Sequence, residues 1–401
     1  MMKAVFFDAC PTMLAKNGLP IAEIFKTKEP DFSAIFVSAD AASQTDPEME
    51  RSSENKITKD NRYRLIHFKS FNRKHIEKFL RKEAPDLFFV DAFRIYDQLW
   101  ISICHKLGIK VFSQQHGFEI DSVFYKPAAI ISKYKKLMRF TVAAYNLARI
   151  SDTSFLKLYY QYCRYIVKGT PLRQTLLANP DFQPTIAFVY SEYYKEFWQR
   201  KFGFDKNRME IIMPTDLLLV KPVREQPQQD ACCYITQTLV EDARMMRGDF
   251  LELLKSYREV AKSVKKFIIK LHPRVSPEIY EEIFGDLDNV EITRDFPNCK
   301  FYLTHYSSMA YAAAFVSNNV ILHELPGHPT HELFRAVATS VVHSSKEIID
   351  YIKSHEQDTD LAKIEDRVKA LAYYTSYNDA EHPYDVMYKT CLLYTSPSPR
   401  D

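Results

Sequence analysis

The sequence predicts an α/β protein of two parallel-sheet units, and three observations predict it. Short apolar runs alternate with amphipathic stretches along the 401 residues, the pattern of buried strands joined by crossover helices. The alternation breaks once, at Leu217–Asp230, where Pro222, Pro227 and three glutamines occur together; such a segment reads as a linker. With 46% hydrophobic and 14% aromatic residues the chain can bury real cores, which excludes a disordered or collagen-like protein. At about 150 residues per domain the length itself allows two or three domains.

The elements follow in order. Ala4–Phe7, Ser33–Val37, Arg64–Phe68, Leu87–Val90 and Lys110–Phe112 are short apolar runs and read as strands; Arg73–Lys82 and Tyr96–Leu107 carry helical periodicity. Thr185–Val189 and Glu210–Ile212 read as two further strands flanking a Glu192–Phe202 helix. Beyond the break, Cys232–Ile235, Phe267–Leu271, Val290–Ile292, Phe301–Leu303 and Val320–Leu322 read as strands, with helices at Asp249–Ser263 and Ser308–Phe315. The expected domains are therefore residues 1–216, a linker at 217–230, and residues 231–390. The last eleven residues, Cys391–Asp401, read CLLYTSPSPRD, a string that matches the translation of a transposase sequencing adapter. On that reading nothing functional is sought in 391–401.

Composition narrows the function classes. Gly is only 8 of 401, and neither a G-x-G-x-x-G nor a P-loop string occurs, so a dinucleotide dehydrogenase or a P-loop ATPase is disfavoured. The seven cysteines are odd in number and form no C-x-x-C, as expected of a reduced, cytoplasmic chain without a disulfide frame or zinc ribbon. Met1–Pro11 lacks a signal-peptide layout, and no apolar run reaches the ~18 residues of a membrane span. The net charge of +3 is uninformative, but its distribution is not. Lys133–Arg173 holds nine Lys and Arg against Asp152 alone, interleaved with Tyr, Phe and Leu. A basic, aromatic helical insertion at about 130–175 suits an anionic glycan or the inner membrane face; the plainer alternative is a solvated helix pair. Nucleic acid is not expected, because no recognised module accompanies the charge.

Four segments carry candidate chemistry, three of them following an expected strand. After Lys110–Phe112 comes Ser113-Gln114-Gln115-His116-Gly117-Phe118-Glu119-Ile120-Asp121. Gly117 permits a tight turn presenting His116, a candidate general base with Glu119 or Asp121 as its orienter. In Lys270-Leu271-His272-Pro273-Arg274, Pro273 ends the strand. Lys270, His272 and Arg274 together can neutralise a phosphate leaving group. In Thr304-His305-Tyr306-Ser307-Ser308, either serine can cap the following Ala-rich helix, whose N-terminus offers N–H groups to a phosphate. Gln237, closing Tyr234-Ile235-Thr236-Gln237, can bond a base or ribose, though a plain polar loop residue reads the same. His323, His328 and His331 invite a zinc reading, but Pro326, Gly327 and Pro329 forbid a continuous helix and the spacing matches no metal signature. No metal or other cofactor is expected. Glu324, at a strand end, is a better candidate for a ribose contact.

The order of these segments, His116-Gly117, then His272-Pro273, then Ser307-Ser308 opening a helix, resembles that of bacterial envelope-polymer transferases. The relatives meant are the GT-B glycosyltransferases around the capsule polysialyltransferases, the Kdo transferases and the CDP-glycerol glycerophosphotransferases. Of the Thr-Asp-Tyr-Ser-Ser string of the last group, Thr304, Tyr306, Ser307 and Ser308 match, while His305 stands in place of Asp. The acidic-acidic-Gly triplet of sialyltransferase relatives does not occur. The resemblance implies a GT-B-like α/β fold: two Rossmann-like domains facing across a cleft, the first carrying the helical basic insertion. It also implies a metal-independent, inverting transfer from a cytidine-activated donor, CMP-linked or CDP-linked, in surface or capsular glycan assembly. By it His116, with Glu119 or Asp121, would activate the acceptor hydroxyl and His272 would offset charge on the departing nucleotide. Gln237, Lys270, Arg274, Ser307, Ser308 and Glu324 would hold the donor. The first domain would take an anionic glycan or glycolipid acceptor at the inner membrane face. Two alternatives stand beside this reading: a UDP-sugar-dependent GT-B transferase or epimerase, and a non-enzymatic glycan- or membrane-binding accessory protein.

Overall fold

The computed structural model describes residues 2–39, 47–68, 72–91, 95–118, 141–168, 179–241, 245–327, 330–357 and 364–395. The chain divides into two compact units: Met1–His116 with Asp121–Met213 and Ala380–Asp401, and Gly117–Ile120 with Pro214–Asp379.

The first unit is built on seven strands: β1 (Lys3–Asp8), β2 (Ser33–Ser38), β3 (Tyr63–His67), β4 (Leu87–Val90), β5 (Lys110–Gln114), β6 (Ile186–Val189) and β7 (Met209–Ile211). All pair in parallel, in the order β3-β2-β1-β4-β5-β6-β7. The strand order reverses between β1 and β4, where open parallel sheets leave a crevice beyond their carboxyl ends. The β4 run Leu-Phe-Phe-Val is buried throughout, as a strand covered on both faces must be. The Phe6 ring stacks on Phe36 at 5.1 Å and on Phe89 at 4.7 Å, across three neighbouring strands. On the other face Trp100 packs on Phe7 at 4.7 Å.

Helix ends in this unit follow local chemistry. The Arg73–Glu83 helix begins at Asn72, whose side chain accepts from the Lys74 N–H, and buries Ile76 and Leu80. The Glu192–Phe202 helix begins at Ser191, which accepts from the Tyr194 N–H, and stops at Gly203 with φ +67°. After β1 the chain makes a short helical turn into a π-helix (Leu14–Gly18) and the Leu19–Lys28 helix, none of which the apolar pattern predicts. Gly18 allows a close approach there: a Cβ would lie 3.1 Å from the Phe6 ring, which would have to shift by a few tenths of an ångström.

The second unit has six parallel strands: β8 (Gln229–Ile235), β9 (Phe267–Lys270), β10 (Val290–Thr293), β11 (Cys299–Thr304), β12 (Asn319–His323) and β13 (Ser340–Val342). Their order, β10-β9-β8-β11-β12-β13, reverses between β8 and β11. The Arg247–Ser263 helix buries Phe250, Leu254, Tyr257 and Val260 on one stripe. In the Met309–Val316 helix every residue after Met309 is buried, and its alanines permit close packing on the sheet.

Two boundaries differ from the sequence expectation. The stretch expected as a linker folds into helical turns at Thr215–Leu219 and Val220–Arg224, and β8 already begins at Gln229. Leu217, Val220 and Val223 are buried there and Arg224 donates to the Phe315 carbonyl at 2.7 Å, so apolar anchors outweigh the prolines. The Pro383–Thr395 helix groups with the first unit, not the second. Met387 and Cys391 are fully buried. Tyr388 packs edge-on to Phe25 at 5.0 Å and donates to the Glu29 carboxylate at 2.5 Å, while Lys28 pairs with Asp385 at 2.9 Å. Cys391 thus opens the adapter-like string inside a buried helix turn, and residues 396–401 lie outside the described residues.

Of the basic stretch Lys133–Arg173, residues 133–140 and 169–173 lie outside the described residues. The Phe155–Lys168 helix exposes Leu156 and Tyr160, one turn apart. Among the described residues no helix is long and apolar enough to cross a membrane, and no three His, Cys, Asp or Glu are placed to hold a metal; His328 lies outside them.

Candidate functional site

The polar side chains gather at the carboxyl ends of the strands in each unit. In the second unit, β8 runs into Thr236, Gln237 and Thr238, which tie the neighbouring strand ends together. Thr236 Oγ1 accepts from the His272 N–H at 2.8 Å, Thr238 Oγ1 accepts from Arg274 at 3.2 Å, and Gln237 Oε1 accepts from the Tyr306 N–H at 3.2 Å. Gln237 therefore spends its carbonyl on the β11 loop, and its amide group is what it can offer a ligand.

His272 is half-buried at the end of β9. Its Nδ1 accepts from the Arg274 N–H at 3.1 Å, which leaves the proton of the neutral ring on Nε2. The ring is thereby set to donate from Nε2. Arg294 pins the same turn by donating to the carbonyls of His272, Pro273 and Val275, each at 3.3 Å. Lys270 Nζ reaches the Leu271 carbonyl at 3.3 Å. His272, Lys270 and Arg274 thus lie at one strand end, as the sequence spacing implies. Arg294 was missed; a basic residue directly after β10 was its only signal.

The two serines divide the work at the Met309–Val316 helix differently from the expectation of a plain Ser308 cap. Ser308 occupies the cap position in a helical conformation without a side-chain cap bond, and Ser307 Oγ accepts from the Met309 N–H at 3.2 Å. Ser308 is the hydroxyl not engaged in capping.

Glu324 is held at the end of β12 by the Thr330 N–H at 2.8 Å and by Arg335 at 2.5 Å, both on Oε2. The Thr330 backbone donor first, then Arg335 and His343, keep its carboxyl below the usual carboxylate range. His343 Nδ1 stands 3.9 Å from Oε1, so the second oxygen retains acceptor capacity for a hydroxyl pair.

His305 is not at this surface. It is buried beside Tyr234, Tyr257 and His323, with Nδ1 donating to the His323 carbonyl at 2.9 Å. Its Nε2 faces the hydroxyls of Tyr257 at 3.3 Å and Tyr234 at 3.4 Å, and the Tyr257 hydroxyl also meets His323 Nδ1 at 2.6 Å. Burial pushes the His305 imidazole down to about 3, so the ring is neutral and joins the ends of β11 and β12.

In the first unit, Gln115 anchors the end of β5. Its Oε1 accepts from the Tyr190 N–H at 3.1 Å and its carbonyl from the Tyr190 hydroxyl at 2.7 Å. His116 follows, and Gly117 takes φ +66°, the left-handed conformation that the turn needs. Phe118, grouped with the second unit, stacks on Tyr311 at 4.1 Å. Glu119 and Asp121 lie outside the described residues.

His116 lines a pocket over the β1/β4 reversal with Asp8, Asn17, Asp91 and Gln114, floored by Phe6 and Phe89. Asn17 Nδ2 stands 3.5 Å from His116 Nε2. Asp8, Asn17 and Asp91 escaped the sequence reading, although Val-Phe-Phe-Asp and Phe-Phe-Val-Asp are matching strings, each an apolar strand ending in a carboxylate.

No protein-family profile matches the chain, and no curated protein matches its sequence. Solved structures do match it along nearly the whole length. S. aureus MnaA in complex with UDP superposes with a TM-score of 0.52 at 11% identity, over 98% of this chain and 97% of that one. UDP-GlcNAc 2-epimerase from Methanocaldococcus jannaschii gives 0.53 at 12% identity, over 98% and 100%. MurG from Acinetobacter baumannii gives 0.51 at 10% identity, over 97% and 100%. The fold is GT-B-like. Both units are Rossmann-like, as the sequence predicts, and identities this low carry the architecture alone.

Proposed function

We propose that this protein is an enzyme acting on a nucleotide-activated sugar, bound at the β8/β11 strand ends of the second unit. The observation that carries the reading is His272 at the end of β9, whose Nδ1 accepts from the Arg274 N–H, so that the neutral ring carries its proton on Nε2. Such a donor beside Lys270 and Arg274 offsets charge on a departing phosphate without need of a metal ion. Ser308 and the N-terminal N–H groups of the Met309–Val316 helix hold a phosphate oxygen. The Glu324 carboxylate takes the ribose hydroxyls, and the Gln237 amide bonds the base or ribose.

Uridine is the nucleotide best supported, because the similar structures include one bound to UDP and an enzyme of UDP-GlcNAc. A cytidine nucleotide is the second reading. The serial order of His116-Gly117, His272-Pro273 and Thr304 to Ser308 favours it. In a transfer reaction His116 accepts the proton of an acceptor hydroxyl. That oxygen bonds the anomeric carbon while the carbon–phosphate-oxygen bond breaks, with inversion. Glu119 or Asp121 would orient His116. The acceptor is a glycan or glycolipid. Leu156 and Tyr160, exposed on the basic insertion, support seating it, or the inner face of a membrane, on that helix. A capsular or surface polymer made in the cytoplasm fits these parts.

Thermal-shift measurements with UDP, CDP, CMP and GDP test the proposal. UDP is expected to raise the melting temperature by several degrees; a shift with CMP or CDP alone selects the cytidine reading, and no shift with any of them removes the nucleotide-sugar function.

A further inference from the structure

We infer, given the nucleotide-sugar reading above, that His305 is a positioning residue: its buried ring holds Glu324, after β12, in register with Ser307 and Ser308, after β11, so that one nucleotide meets its ribose and phosphate contacts together. The backbone ladder stops short of these residues. β11 and β12 pair in parallel from Phe301 and Asn319 to Thr304 and Leu322. Past that last pair one chain turns into the Met309–Val316 helix, while Glu324 leans the other way, its N–H donating to the Val342 carbonyl at 2.9 Å. His305 supplies the tie that the ladder lacks. Its Nδ1–H donates to the His323 carbonyl at 2.9 Å, and that carbonyl belongs to the peptide group leading into Glu324. Tyr257 closes a cycle of contacts: its hydroxyl meets His305 Nε2 at 3.3 Å and His323 Nδ1 at 2.6 Å. His323 is thus gripped twice, at its backbone by His305 and at its imidazole through Tyr257.

The β11 side is fixed just as closely. Tyr306, next in the chain, donates its N–H to Gln237 Oε1 at 3.2 Å, and Ser307 and Ser308 follow directly. The ends of β8, β11 and β12, each bearing a candidate nucleotide contact, therefore converge on His305 and Tyr306. The cluster holds its geometry because it is dry: His305, Tyr234 and Tyr257 are all buried. With Nδ1 donating, Nε2 of the neutral ring is an acceptor, and a tyrosine hydroxyl, Tyr257 at 3.3 Å or Tyr234 at 3.4 Å, donates to it. Both ring nitrogens are engaged, so displacing the ring leaves a buried polar atom unpaired. Adjacent strands lie about 4.8 Å apart, a gap that a ribose and its own phosphate bridge.

Two amide side chains separate the two ends of the ring. Asparagine puts its amide where the imidazole carries Nδ1, and glutamine reaches to where it carries Nε2. His305→Asn therefore keeps a donor for the His323 carbonyl, whereas His305→Gln drops it and keeps a partner for the tyrosines. Calorimetric titration of the full chain and both variants at neutral pH, with UDP, CDP and their 2′-deoxy forms, tests the role. His305→Gln is expected to shrink the preference for the ribonucleotide about five-fold, the scale of one lost hydrogen bond, and His305→Asn to leave it unchanged, although both lower the melting temperature. An unchanged preference in His305→Gln, or equal losses in the two variants, assigns the ring to the fold alone and overturns the inference. A second measurement uses the wild-type chain labelled with ¹⁵N-histidine. The His305 Nδ1–H resonance is expected to move when the ribonucleotide binds and to move less with the deoxy form; an equal response to both overturns the inference whether or not His305→Gln folds. Binding of no nucleotide by the wild-type chain removes the nucleotide-sugar function and this role with it. Binding with undiminished ribose preference in His305→Gln keeps that function and removes the role alone.

Discussion

The two sheets share one strand plan and end in opposite chemistry. In the first, the strands either side of the order reversal close on Asp8 and Asp91 over phenyl rings. In the second, the corresponding edge carries His272, Lys270, Arg274 and two serines before a helix N-terminus. A parallel sheet offers a crevice at its reversal whatever its sequence; the few residues just past each strand decide what that crevice accepts. Carboxylates suit hydroxyl donors, whereas imidazole, ammonium and guanidinium suit phosphate.

The largest effect that would sharpen this contrast is expected from His272→Ala. Turnover of a nucleotide sugar should fall at least 100-fold, the scale of losing one well-placed charge-stabilising donor, while the melting temperature stays unchanged. A variant with wild-type turnover would remove His272 from the chemistry. A smaller effect is expected from Glu324→Gln. Its carboxylate is fixed by Thr330 and Arg335, so preference for a ribonucleotide over its deoxy analogue should shrink about ten-fold, the cost of one charge-assisted hydrogen-bonded pair. Equal loss with both nucleotides would assign Glu324 to holding the loop instead.

The smallest effect concerns stability and pH. His305 is neutral in the fold, held down to about 3 by burial, but titrates near 6.5 when unfolded. Between those values the unfolded chain binds the extra proton, so stability is complete above about 6.5 and falls as pH drops. The slope should reach roughly 1 kcal/mol per pH unit, with His323, also lowered by burial, adding in the same sense. His305→Gln should flatten the melting-temperature profile between pH 7 and 5; an unchanged slope would place the titrating group elsewhere.

Much of the architecture was legible in the sequence, and the reasons differ by element. Strands such as Leu87–Val90 and Phe267–Lys270 are dense apolar runs whose burial leaves no other assignment. The His272 cluster was legible because a proline stops its strand and local spacing alone brings three basic groups together. The Pro383–Thr395 helix was not, since an amphipathic segment shows that it needs a partner without showing which. Leu217–Asp230 misled because Pro and Gln mark breaks only where no apolar anchors lie between them, and Leu217, Val220 and Val223 do. The first-unit pocket needs residues 8, 17, 91 and 114 side by side, a neighbourhood set by strand order, which periodicity does not encode.

The return of the Pro383–Thr395 helix to the first sheet has a consequence for biosynthesis. Tyr388 closes over Phe25 and Glu29, so the half of the protein that leaves the ribosome first is the half completed last. During translation Glu29 waits for Tyr388 until more than 350 further residues have been added, while Phe32 and Phe89 already pack on Phe25. A first unit made without the Pro383–Thr395 segment would leave Phe25 and Glu29 without the Tyr388 contacts.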